Sequence, residues 1–222
     1  EAYSHGNTEG LRLDAALGMI NIYISKGDLN KAEKLIKELK KENQNKIEFE
    51  LKLAQINFYK GNLIETEKMI KTIIKDLPSN HLMYNDMLNI ISILIAFKNN
   101  EEEFATFANI QLNIQQNNRI EAIEKLIKLF DSNEIYISEM CKFQQAWLLY
   151  LQNELEIVEQ KLEEITEDTI YKEMALIFKA EILDHVKKDL SKAIDAYLSF
   201  LNNYPNSIYY DDIRLRLREL AS

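Results

Sequence analysis

The side chains that could carry acid–base, nucleophilic or metal chemistry are few and dispersed along this chain. His5, His81 and His185 stand 76 and 104 residues apart, so no H-E-x-x-H pair or His/Cys cluster is present and no metal site is expected. Cys141 is the single cysteine, which excludes an intrachain disulfide and a cysteine-rich metal site. Its flanks, Met140 and Phe143, predict a buried small hydrophobe rather than a nucleophile. Pairing it with His185 as a dyad has only enumeration behind it. No serine or cysteine sits in a nucleophile-elbow context. The acidic runs Glu101–Glu103 and Glu163-Glu164 are adjacent on helices, where neighbours point about 100° apart, so they read as solvated faces rather than acid/base pairs. The 5 glycines are scattered and form neither G-x-G-x-x-G nor a P-loop. These residues predict a protein that is not an enzyme and takes no cofactor.

Binding chemistry is better represented. Phe143, Trp147 and Tyr150 recur at spacings of four and three, one stripe on a helix. Half-exposed aromatics of this kind make interaction hot spots, and the same spacing also suits a core between helices. Charge narrows the partners. With 27 basic and 36 acidic residues the net charge is −9, which repels phosphate backbones and argues against nucleic acid. The charge is uneven. Residues 26–75 carry 12 basic and 8 acidic side chains, and residues 101–173 carry 6 and 16. That distribution makes two solvated surfaces of opposite sign, or polar ends that orient a partner or a second copy head to tail.

The elements that must position these residues are helical. Gly and Pro total 7 of 222 residues, scarce enough to argue against turn-rich β architectures, while 46% hydrophobic content supports a large core. Apolar residues fall at spacings of three and four almost throughout, as in Leu35, Ile36 and Leu39 or Leu126, Ile127 and Phe130. Asn, Gly and Asp punctuate the pattern at Gly27-Asp28, Asn43–Asn45, Gly61-Asn62, Asn99-Asn100, Asn117-Asn118, Asn153, Lys188-Asp189 and Asn202–Asn206. About twelve helices follow, near 9–25, 28–43, 46–60, 62–76, 80–98, 101–117, 119–130, 134–152, 154–166, 170–186, 189–203 and 207–219. Short loops between them force antiparallel neighbours. The longest apolar run, Ile90–Phe97, is interrupted by Ser92 and falls far below the roughly 20 residues of a membrane span. No signal peptide is visible. The chain opens at Glu1 without an initiator methionine, as expected of a mature form or a segment of a longer protein.

Self-similarity organises the helices. Tyr23–Leu29 (YISKGDL) recurs as Asn57–Leu63 (NFYKGNL), with Gly27 and Gly61 34 residues apart. Ala122, Val158 and Ala193 then follow at intervals of 36 and 35, and the last of these repeats holds one extra residue in its turn. Ala146 and Ala180 are small residues in the preceding helices. The chain resembles the tetratricopeptide repeat (TPR) family in this period and in residues such as Leu176, Ala180, Leu183, Ala193, Tyr197, Phe200 and Pro205. Ile20 and Thr66 depart from its small-residue positions. The resemblance implies an all-α, right-handed α-solenoid as a single domain over 1–222. Its repeats fall near 11–44, 45–79, 101–133, 134–168 and 169–205, with an irregular helix at 80–98 and a capping helix at 207–220. The 56 residues between Thr66 and Ala122 predict one unpaired helix there.

The last 30 residues resemble, more specifically, the ends of bacterial envelope-associated TPR proteins. The features are Ala193-x-x-x-Tyr197, Asn203–Ser207 (NYPNS) and the arginine-bearing segment Arg214–Leu220, with Asp212 where those proteins usually carry Ala. In place, Ser207 reads as an N-cap, Asp211-Asp212 as first-turn acids, and Arg214, Arg216 and Arg218 as cations at the C-terminal half of a helix.

The TPR resemblance also implies a concave face lined by the first helix of each repeat. Its positions correspond here to Glu48, Leu51, Gln55, Phe58 and Tyr59, to Met140, Phe143, Trp147, Tyr150 and Leu151, and to Met174, Ile177, Glu181, Asp184 and His185. Of the lysine–asparagine clamp for a peptide carboxylate only Asn21 has a counterpart. The expected function is therefore a protein–protein interaction scaffold, a segment of a larger bacterial assembly, cytoplasmic or in the cell envelope. Its partner is a protein or peptide, held by Phe58, Tyr59, Phe143, Trp147 and Tyr150. A spacer with weak head-to-tail self-association, or a helical small-molecule sensor, are the alternatives.

Overall fold

Among the described residues, twelve helices form where the periodicity places them. The computed structural model describes residues 9–41 and 47–220, so His5 and the Asn43–Asn45 turn lie outside the described residues. The helices are α1 (Glu9–Ser25), α2 (Leu29–Lys40), α3 (Ile47–Tyr59), α4 (Leu63–Asp76), α5 (Tyr84–Ala96) and α6 (Glu101–Gln115). They continue with α7 (Arg119–Leu126, followed by a 3-10 turn), α8 (Ile135–Tyr150), α9 (Leu155–Glu163), α10 (Ile170–Glu181), α11 (Leu190–Asn203) and α12 (Tyr210–Leu220). No strand occurs among the described residues, and no helix there is long and apolar enough to cross a membrane.

Consecutive helices pair: α1 with α2, α3 with α4, α8 with α9, and α10 with α11. The turns show why. Among the described residues, five have positive φ, Gly27, Gly61, Asn117, Asn153 and Lys188, each just past the first helix of a hairpin. At the first four, the residue's own N–H bonds the carbonyl three back and the next N–H bonds the carbonyl five back, as in Asp28 to Tyr23 and Glu154 to Leu149. This double bond pattern satisfies the helix's orphan carbonyls and reverses the chain. At the fifth turn the corresponding bond runs from Asp189 to Leu183, six residues back, because Ile182–Val186 forms a π turn. The extra residue visible in the sequence is absorbed there.

The left-handed residues are 34, 56, 36 and 35 apart. Five positions beyond them stand Ala32, Thr66, Ala122, Val158 and Ala193, all fully buried. The facing slots of the first helices hold Ile20, Ala54, Ile110, Ala146 and Ala180, also fully buried. Five hairpins therefore share one register, in which small or compact residues let paired helices approach. Thr66 fits because its hydroxyl donates to the Asn62 carbonyl at 2.7 Å, leaving no polar group unmet. The long spacing holds α5, shorter than the 80–98 stretch expected because the chain turns through Pro78–Met83 before it; α5 packs against α4.

The chain divides into two compact units between Lys125 and Leu126. In the N-terminal unit, Ala16, Ile20, Ile24, Ala32, Ile36, Phe49 and Ile56 form the core of the first two hairpins. There α6 packs against α1, α3 and α4. In the C-terminal unit, Ala146, Val158, Leu162, Ala175 and Phe178 centre one cluster, and Ala180, Ala193, Tyr197, Phe200 and Ile213 centre another. Here α8 contacts α10, and α12 closes over α11.

The turns make a pair of opposite predictions. Gly61 has φ +73, and a Cβ on it would lie 3.0 Å from the Cα and Cβ of Ala105 on α6. Gly61→Ala is expected to destabilise by about 1–2 kcal/mol. Lys188 holds φ 56 with a side chain, so Lys188→Gly is expected to stabilise by about 0.5–1 kcal/mol. Urea unfolding of both variants checks the two signs.

Candidate interaction face

The aromatic stripe of α8 meets α10 in a continuous run of rings. Tyr136 lies against Tyr171 at 5.2 Å between centroids, with the Tyr171 hydroxyl donating to that of Tyr136 at 3.2 Å. Tyr171 contacts Phe143 at 5.9 Å, and Phe143 contacts Phe178 at 6.2 Å. Phe178 in turn touches Trp147 at 5.4 Å and Tyr150 at 5.1 Å, and Trp147 stacks on Tyr150 at 5.7 Å with an interplanar angle of 29°. Desolvation, reinforced by Tyr136, pushes the Tyr171 phenol far above its ordinary value, so it acts only as a neutral hydrogen-bonding group.

These rings divide by exposure. Phe143 and Tyr150 are half-buried and pack onto the core of α8, α9 and α10. Trp147 is 44% exposed, and Leu151 one turn on is 43% exposed. Of the stripe, then, Trp147 is the part offered to solvent, with Tyr150 and Phe178 as its platform. Phe178 belongs to this arrangement and carried no signal in the sequence; only the docking of α10 on α8 turns it toward Trp147.

Phe58 and Tyr59 sit differently. Phe58 is met edge-on by Phe104 at 5.3 Å and by Phe107 at 6.2 Å, both fully or nearly fully buried on α6. The Tyr59 hydroxyl donates to Gln115 Oε1 at 3.4 Å and accepts from Gln55 Nε2 at 3.3 Å. Burial raises the Tyr59 pKa, with the Gln55 bond acting the other way. The chain's own α6 thus occupies this end of α3. The close approach depends on Gly61 against Ala105 and on Gly27 beside Gln116.

Two buried carboxylates hold the C-terminal unit together. Glu139 on α8, fully buried, pairs with Lys142 at 2.7 Å and accepts the Glu167 N–H at 3.1 Å, fixing the segment that leads into α10. Asp184, in the π turn, accepts two bonds from the Arg216 guanidinium of α12, at 2.7 Å from Nε and 2.9 Å from Nη2. It also accepts from the Tyr197 hydroxyl at 3.3 Å, and His185 Nε2 lies 3.5 Å away. Asp184 was expected on a binding face and instead faces inward as the anchor of α12. Arg216 serves this pair, and Arg214 pairs with Asp211 at 3.1 Å, which leaves Arg218 in the last turn of α12. Ser207 accepts from Tyr209 N–H at 3.2 Å, ahead of the helix start at Tyr210, so it shapes the approach to α12 rather than capping it.

Cys141 is fully buried, and no group of three or more His, Cys, Asp or Glu side chains converges to hold a metal ion among the described residues. What the geometry defines is an all-helical protein built from repeated helix–turn–helix hairpins, with one exposed tryptophan framed by α8 and α10. No family model, curated protein or solved structure matches the chain.

Proposed function

We propose that this chain is a non-enzymatic, tetratricopeptide-like scaffold that binds a protein or peptide partner. The observation that carries the reading is the common register of the five hairpins, with Trp147 exposed on α8, the first helix of its pair, and Leu151 exposed just past its end. Hairpins of this period bury their faces only by stacking, and such arrays present extended binding surfaces. A setting in a bacterial cell-envelope assembly is supported by the Tyr204–Ser207 and Arg214–Leu220 segments alone. The partner face we assign is Trp147 with Tyr150 and Phe143 beneath it.

A photoreactive phenylalanine analogue at position 147, introduced into the protein in its source cells, tests this. The expected result is a discrete cross-linked product with a different protein. The same analogue at exposed Ile64 in the N-terminal unit should not give it. Cross-linking only to a second copy of the chain would overturn the scaffold reading in favour of a self-associating spacer, for which the opposite charges of residues 26–75 and 101–173 provide the attraction.

A further inference from the structure

We infer that the occupant of the Trp147 face is a basic segment of a protein partner, with a lysine or arginine lying over the indole and reaching Glu181. This rests on the interaction-scaffold reading and specifies the chemistry of its partner. Ala146 and Ala180 fill equivalent buried slots of α8 and α10, so Trp147 and Glu181, each the next residue, hold equivalent positions on two packed helices. Between them lies Phe178, its ring 5.4 Å from that of Trp147 and its backbone one helical turn before Glu181. A cation above an aromatic face beside a carboxylate gains from both.

The charges around this face leave room for one. Glu181 is exposed and has no hydrogen-bond or ion-pair partner among the described residues. The side chain of Glu154, one turn beyond Tyr150, is exposed and likewise unpaired among the described residues. Three cations of this region are engaged elsewhere: Lys179 of α10 with Glu163, Lys187 just past the π turn with Glu159, and Arg216 of α12 with Asp184 and Glu219. Although Glu181 is exposed as a residue, desolvation raises its carboxyl pKa, with His185 opposing and Asp184 adding. His185 offsets that desolvation only in part, and a bound cation relieves the remainder. The whole C-terminal unit shares the sign, with 11 basic and 18 acidic residues over 126–222. Exposed Leu151 supplies an apolar contact for a hydrophobic neighbour of that cation.

Trp147 is the only tryptophan, so its emission reports directly on the face. The intact protein is titrated with three fluorescein-labelled dodecapeptides, one alternating Lys and Leu, one Glu and Leu, and one Lys and Ser. Anisotropy gives the affinity, and tryptophan emission of unlabelled titrations gives the place. The Lys/Leu peptide is expected to saturate with a shift of the indole emission, and the other two to bind at least about tenfold more weakly. Glu181→Gln and Trp147→Ala should each weaken the Lys/Leu peptide by roughly five- to tenfold. Glu102→Gln, on the N-terminal unit, should change nothing. Equal binding of the Glu/Leu and Lys/Leu peptides, lost in Trp147→Ala, would overturn the basic partner while leaving the interaction face standing. Binding indifferent to both Trp147→Ala and Glu181→Gln, or no binding of any peptide, would overturn the inference as well, and the cross-linking at position 147 then decides the scaffold reading separately.

Discussion

Replacing Phe104 by alanine is expected to cost the N-terminal unit about 3–5 kcal/mol. Phe104 is fully buried on α6, and its ring meets Phe58 of α3 at 5.3 Å and 89° and Phe97 at 5.7 Å and 65°. Edge-to-face contacts of this kind add to the burial of the ring. The truncation opens a cavity bordered by Phe58 of α3 and Phe97 just past α5, so little collapse can refill it. It also removes the ring that covers Phe58. Far-UV circular dichroism during urea unfolding reads this loss, while Trp147 emission, which reports on the C-terminal unit, should not change its midpoint. Phe104→Leu should recover most of the stability, because volume rather than aromatic character dominates the site. A loss below about 1 kcal/mol for the alanine variant would show that α6 does not bury its phenylalanines against α3.

Loss of the Asp184 carboxylate in Asp184→Ala is expected to cost the C-terminal unit about 2 kcal/mol, the scale of a hydrogen-bonded charge. The figure stays at that level because the Arg216 side chain is 32% exposed and keeps Glu219 when Asp184 is gone. Arg216→Leu should be the more damaging variant, since it strands a buried carboxylate with only the Tyr197 hydroxyl and His185 beside it. The pH dependence follows in sign. The Arg216 hydrogen bonds hold Asp184 below its ordinary value; desolvation works against them, and His185, the Arg216 charge and Tyr197 add to the lowering. A carboxyl depressed in the folded state stabilises fully above its unfolded value near about 4, and that stabilisation fades as pH falls through the folded value. Wild type and Asp184→Asn should therefore differ most above pH 4 and converge below it, measured by Trp147 emission in urea at each pH. A constant difference down to the lowest pH would remove Asp184 from the anchoring role.

The hairpins were legible in the sequence because each is local. A glycine or asparagine that tolerates positive φ, a polar residue at the N-cap position after it and a small residue five places on are all set within about ten residues. Gly27-Asp28 and Gly61-Asn62 announced their turns in this way. The extra residue near Lys188 was countable in the sequence too, but its form was not. A longer loop and a π turn have the same length, and within the π turn Asp184 meets Arg216, 32 residues away. Phe58 shows the same limit from the other side. Its position on α3 suited a binding face, and only α6, about fifty residues later, determines that the ring packs against Phe104 and Phe107.

The aromatic stripe divides along that line. Spacing alone put Phe143, Trp147 and Tyr150 on one side of α8, since helical geometry needs no other part of the chain. Which of the three meets solvent depends on where α10 brings Phe178 and Tyr171. Those rings take up Phe143 and Tyr150 and leave Trp147 exposed. By itself the sequence determined the all-helical class, the turns and the period of the hairpins, because hydrogen bonding and capping act between near neighbours. The tertiary structure decided which aromatic face is covered and which is open, and where Asp184 finds its counter-charge, because burial depends on helices that are distant in the chain and adjacent in space.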